Sequence, residues 1–185
     1  VLRPSPRVLD SVGTLARLGL AAVWLISGGV KLADPGQSYV AVQAYELLPQ
    51  GLIGVVATGL PILELVLGLL LVAGLLTRFT AVASGLLLLA LIAVVAQSWA
   101  RGLSIDCGCF GGGGEVPVGE TRYPQEIARD VGFLLLAIWL TVRPRTAFSV
   151  DGWMGGERGN SAAAPDDNLG EPDTPAVSGR ESERI

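Results

Sequence analysis

The chain alternates between long apolar stretches and short breaks of proline, glycine and charge. Residues 13–32, 52–76, 79–99 and 127–142 are the apolar stretches. The first three have about the 20 helical residues that cross a bilayer, and the fourth is shorter. Asp34-Pro35-Gly36 ends the first. The segment to Pro49 mixes Tyr39, Tyr45, Glu46 and leucines in the manner of an interfacial piece. Thr77-Arg78 reads as a tight turn, which makes the second and third stretches antiparallel neighbours. The pattern predicts an all-α fold, an integral membrane four-helix bundle. A lead, residues 1–12, precedes the membrane domain of residues 13–143, and its longest connection is residues 100–126.

Composition agrees with that pattern. Half of the 185 residues are hydrophobic and 16% are charged, against roughly a quarter charged in soluble domains. The mean hydropathy is +0.53. Residues 144–185 shift to Gly, Ser, Pro, Asp and Glu, a juxtamembrane segment followed by a tail too polar to offset its ordering entropy, so the tail is expected to be disordered. The net charge of −4 belongs mainly to loops and tail. No basic stripe points to nucleic acid. The basic residues Arg3 and Arg7 ahead of an apolar stretch imitate a signal peptide, but no small-x-small cleavage site follows, so the first stretch is read as a retained span.

Three ionisable residues lie within the first three apolar stretches. Arg17 and Lys31 sit near the two ends of the first and are expected to snorkel to the headgroups, with a partnership to Glu64 as the other reading. Glu64 lies mid-span beside Pro61. A charge at that depth costs about 2.5–3.5 kcal/mol on insertion scales, so Glu64 is expected to be protonated, paired or turned to a polar interior.

The only two cysteines stand together in Asp106-Cys107-Gly108-Cys109-Phe110-Gly111. Histidine is absent, which removes the commonest metal ligand and the usual general base. Thiols at i and i+2 close a disulfide only through a tight turn, for which Gly108 gives the freedom. Such a small ring is expected to be strained and therefore oxidising, suiting a catalytic pair better than a staple. Inert thiols, or half of a metal site shared across a dimer, are the other readings; no metal is assigned. Asp106 opposes ionisation of Cys107, so a reactive thiol there needs a cation, and Arg101, Arg122 and Arg129 are the candidates. The run Gly111 to Gly114 lacks the Lys-Ser/Thr of a phosphate loop and reads as a mobile mouth. Phe110 reads as a packing residue.

Four spans put Arg3, Arg7, Arg78, Arg143 and Arg145 on one side. Lys31, Arg101, Arg122 and Arg129, in longer and more acidic segments, lie on the other. The basic excess keeps the termini cytoplasmic and the cysteines outside, where disulfides persist.

Several of these pieces resemble the DoxX-like superfamily and, within it, the MauE-type redox-associated membrane proteins. They are Arg17 with Ser27-Gly28-Gly29-Val30-Lys31-Leu32-Ala33-Asp34-Pro35, Tyr45 with Leu48-Pro49, Leu60-Pro61-Ile62-Leu63-Glu64 with Gly68, the cysteine segment, and Arg129-Asp130. The resemblance implies a four-helix protein of the bacterial cytoplasmic membrane. It also implies work with a thioredoxin-fold extracytoplasmic partner in forming or maintaining disulfides. Cys107 and Cys109 are then the redox pair, and Arg17, Lys31 and Glu64 match recurring polar positions. Two cysteines cannot form an internal relay, so a quinone or a second protein would have to complete turnover. The rival readings are a noncatalytic scaffold that recruits an oxidoreductase and a small transporter using Glu64 for proton coupling.

Overall fold

The computed structural model describes residues 6–143; the predicted tail and the first part of the lead lie outside them. The fold is mostly helical: α1 (Pro6–Ala33), α2 (Pro35–Ala44), α3 (Gln50–Ala73), α4 (Thr77–Ala100), a hairpin of β1 (Ile105–Asp106) and β2 (Gly114–Glu115), and α5 (Tyr123–Val142).

Helix ends follow local chemistry. Asp34 caps α2, its carboxylate accepting from the Gln37 N–H at 3.0 Å, and Pro35 fills the first turn, where a missing N–H costs nothing. The supposed interfacial segment is therefore a short helix. Gly74, left-handed at φ 65°, stops α3, and Thr77-Arg78 belongs to the first turn of α4 rather than to the connection. The first helix begins at Pro6, within the expected lead.

Among the described residues, three helices are long and apolar enough to cross a membrane: Leu9–Ala33 of α1, then α3 and α4. The fourth expected span, α5, has the position but not the composition, because Glu126, Arg129 and Asp130 occupy its first turns. The inward faces meet in one core of Leu20, Trp24, Leu67, Leu71, Leu88 and Leu140, drawn from α1, α3, α4 and α5. Outward apolar side chains remain open: Leu15, Leu69, Phe79, Leu86 and Leu135 are 61–72% exposed. Such a surface suits lipid rather than water.

Close backbone approach fixes α1 on α3. A Cβ at Gly28 would sit 2.8 Å from the Pro61 carbonyl oxygen, and one at Gly68 would meet Leu25 at 2.8 Å. Trp24 of α1 donates its indole N–H to Ser84 of α4 at 2.9 Å, satisfying a buried donor. Gly28→Val, which must displace main chain, is expected to destabilise by roughly 1–3 kcal/mol. Gly29→Ala, with open space around its position, should leave the thermal midpoint in detergent unchanged.

Candidate functional site

The segment between α4 and α5 folds back on the helix ends. Tyr123 anchors it, its hydroxyl donating to the Leu103 carbonyl at 2.7 Å and accepting from the Ile105 N–H at 3.3 Å. Tyr45, the last residue of the α2 turn, donates to the Cys107 carbonyl at 3.1 Å. Gln37 donates to the Gly113 carbonyl at 2.6 Å. The glycine run is thus a packed turn rather than a mobile mouth. Gly108 and Gly113 have φ of 67° and 94°, and their α-carbons face each other so closely that a Cβ on Gly113 would lie 2.9 Å from the Gly108 Cα and 2.7 Å from Ala41. Side chains at either position would open the turn.

A buried polar chain joins this loop to the helices below. Lys31 donates to Glu64 Oε1 at 2.6 Å and to the Ser27 hydroxyl at 3.0 Å. Ser27 lies 3.0 Å from Glu64 Oε2 and 2.7 Å from the Cys109 carbonyl oxygen. Its single hydroxyl proton is offered to one of these acceptors at a time. Glu64 is fully buried, so its mid-span carboxyl is paired, as one of the sequence readings required. The snorkelling expectation for Lys31 and Arg17 fails: Lys31 turns inward to Glu64, and Arg17 is 3% exposed in the bundle interior. Proximity of a buried carboxylate outweighs the reach to headgroups for Lys31. The role of Ser27 was not foreseen; a lone serine four residues before a span-end lysine was the available signal.

Cys107 and Cys109 are both buried, both thiols are free, and they touch. The Cys109 N–H donates to the Cys107 sulfur at 3.4 Å. The Arg129 guanidinium donates to the same sulfur through Nη2 at 3.6 Å, while its Nε holds Asp130 Oδ1 at 3.0 Å. The guanidinium also lies over the Phe110 ring, 4.8 Å from its centroid, and Phe110 meets Phe133 edge-on. The Cys109 thiol as donor, its N–H and Arg129 together outweigh burial and bring the Cys107 thiol down to about 6. The reverse holds for Cys109, which is pushed up by its role as donor and by burial. One sulfur is thus poised as a thiolate at neutral pH and the other as a thiol.

Of the three candidate cations for Cys107, Arg129 is the one in place. Arg101 is spent on Tyr45 and Glu46, donating to the Tyr45 carbonyl at 2.9 Å and to Glu46 Oε2 at 3.0 Å. Arg122 stands just before α5, in the wall of the recess beside Glu126, and makes no side-chain capping bond. Asp106 lies beside Glu126, and their carboxyl oxygens and the Cys107 sulfur are all within 4.8 Å of one another. The cation beside that cluster is the Arg129 guanidinium, so it reads as an acid–thiol group rather than as a metal centre.

Two cavities lie at the site, the first against the sulfurs and the second against the carboxyl groups beside them. One, of about 220 Å³ and largely apolar, is lined by both cysteines together with Lys31, Ala41, Ala57 and Leu60. The other, of about 490 Å³, is polar and open, with Asp106, Glu126, Arg122 and Arg129 in its walls.

Fold and site together define a helical membrane protein that carries a buried dithiol on the ends of its spans. Residues 9–143 match the family described as methylamine utilisation protein MauE, and the chain belongs to that family. No curated protein and no solved structure matches it.

Replacing Arg129 by Gln should move the midpoint of Cys107 alkylation by iodoacetamide upward from about 6. For a rise of about one pH unit, the rate at pH 6 falls roughly fivefold. Lys31→Met strands the buried Glu64 carboxylate and should cost about 3–5 kcal/mol in unfolding experiments, much of it recovered in Lys31→Met/Glu64→Leu.

Proposed function

We propose that this protein is a membrane thiol–disulfide redox protein that exchanges electrons between an extracytoplasmic thioredoxin-fold partner and the membrane. The observation that carries this reading is the asymmetry of the pair: Cys107 is brought to about 6 by Cys109 and Arg129, while Cys109 is held as the thiol. An inert or structural pair has no need of a guanidinium aimed at one sulfur. In the forward half-reaction the Cys107 thiolate attacks a sulfur of the partner's disulfide and forms a mixed disulfide, and the partner's second sulfur leaves and takes a proton. The Cys109 sulfur, on losing its proton, displaces the partner and closes the Cys107–Cys109 bond. The partner leaves reduced and the pair oxidised; the reverse sequence oxidises the partner.

Turnover needs a second two-electron couple. The apolar cavity beside both sulfurs, walled mainly by α1, α2 and α3, suits the ring of a quinone, and Lys31 in its wall offers a donor to a quinone oxygen. In this reading α5 completes a four-span bundle of the kind found in DoxX-like proteins, its charged first turns lying at the membrane surface beside the loop. The protein then sits in the bacterial cytoplasmic membrane with cytoplasmic termini and the cysteine loop outside. The family description supports a setting in methylamine utilisation, and in this reading the protein's contribution is disulfide formation or maintenance in an extracytoplasmic protein.

Cys109→Ser should trap a mixed disulfide through Cys107 in native membranes, recovered as a reductant-sensitive adduct, and Cys107→Ser should trap far less. Absence of an adduct with either variant, together with retained function in the double replacement, would establish a scaffold instead.

A further inference from the structure

We propose that Glu126 is the proton reserve of the Cys107/Cys109 pair, holding a proton beside the Cys107 sulfur while the pair is reduced and giving it up on the side of the polar recess as the disulfide forms. This deepens the dithiol reading above and rests on it.

The argument starts from placement. Glu126 is in the first turn of α5, ahead of its apolar part, and is 7% exposed. Its carboxyl oxygen comes within 4.8 Å of the Cys107 sulfur. Among the described residues its Oε2 is buried with no hydrogen-bond partner, a costly condition for an ionised carboxylate. Glu126 nevertheless forms part of the wall of the open recess, with Arg122, Gln125, Glu120 and Asp106 around it. It therefore stands between a sulfur buried from water and a route to water.

The groups facing Glu126 determine when it holds a proton. They are Cys107, Asp106 and Glu120 from the loop, Tyr45 from the end of α2, Arg122 just before α5 and Arg129 within it. Burial, then the charge of Cys107, then Asp106 push the Glu126 carboxyl up to about 7. Burial keeps the Tyr45 phenol neutral, so it does not compete. While Cys107 is a thiolate, the carboxyl keeps its proton. Once the sulfur is bonded to Cys109 and its charge is gone, the carboxyl becomes a stronger acid and the proton leaves.

The balance closes. In the reduced pair Cys107 is a thiolate, Cys109 a thiol and Glu126 a neutral carboxyl. Oxidation removes two electrons and joins the two sulfurs. The Cys109 thiol gives one proton and Glu126 the other, leaving a disulfide and a carboxylate. An acceptor of two electrons and two protons, a quinone or a partner disulfide, is reduced to a quinol or to two thiols. The net charge of the site is unchanged, which avoids leaving an uncompensated charge at a buried centre.

The test uses the full chain in lipid nanodiscs, reduced, freed of reductant and held in weak buffer with a pH-sensitive dye. Diamide, an azo compound that takes two electrons and two protons, closes the disulfide without partner or quinone. At pH 6.5 the wild type should take up close to no protons from the medium per disulfide formed, because Cys109 and Glu126 supply both. Glu126→Gln should take up about one, and Glu126→Asp should return towards the wild type. The wild type alone carries the same test if the Gln variant does not fold, since its uptake should rise from about zero at pH 6.5 to about one at pH 8.5. Equal uptake by wild type and Glu126→Gln, or uptake by the wild type that stays near one at both pH values, would overturn the assignment and leave the dithiol reading standing. Failure of diamide to close any disulfide would overturn the dithiol reading and this inference with it.

Discussion

The buried pairing of Lys31 with Glu64, relayed by Ser27 to the Cys109 carbonyl, is the interaction on which the rest of the site depends. It resolves two problems at once. A carboxyl within an apolar span needs a counter-charge, and a loop rich in glycine needs fixed points. Because Ser27 and Lys31 are one helical turn apart, they present their polar atoms to the same place, and α3 brings Glu64 to it across the close contact of Gly28 with Pro61. The ion pair is therefore both a consequence of tight α1–α3 packing and the anchor for the loop above.

On that anchor the loop places its sulfurs unequally. Cys107 receives donors from the Cys109 backbone and from Arg129, whereas Cys109 has its carbonyl tied to Ser27 and its thiol given to Cys107. The difference arises from fold rather than from local sequence, since Asp106 next to Cys107 would by itself favour the opposite order. The Cys109 donors prevail first and Arg129 adds to them, in reach because the first turns of α5 lie beside Asp106 and because Asp130 and Phe110 hold the guanidinium from two further directions.

Much of this was legible in the chain. Three of the four expected spans, the cysteine pair, the pairing of Glu64 as one of three readings and the demand for a cation at Cys107 follow from hydropathy, spacing and the cost of buried charge. What could not be read depended on partners distant in sequence. Nothing local says that Lys31 turns inward, since the same residue at a span end has a cheap route to headgroups. The Gly111 to Gly114 run looked mobile because composition reports conformational freedom, whereas the Ala41 surface of α2 that confines it is seen only in three dimensions. α5 was read as a span from its second half, while its first turns turned out to hold Glu126, Arg129 and Asp130 around the sulfurs.

The burial of both cysteines, 8% and 7% exposed, has a consequence for fidelity. A thiol open to solution equilibrates with whatever small thiols and disulfides surround it, and its oxidation state then records the compartment rather than a chosen partner. Here the packed glycine turn and the Tyr45 hydroxyl hold the cysteine loop closed, so a small thiol or disulfide in solution meets the sulfurs more slowly than it would on an open loop. A matching protein surface can loosen that packing at many points at once, so a partner is favoured in rate over small reagents, which react only as fast as the packing lets them in. The loop is in that sense an insulator around a reactive conductor, and its tightness sets which redox pool the membrane side is wired to.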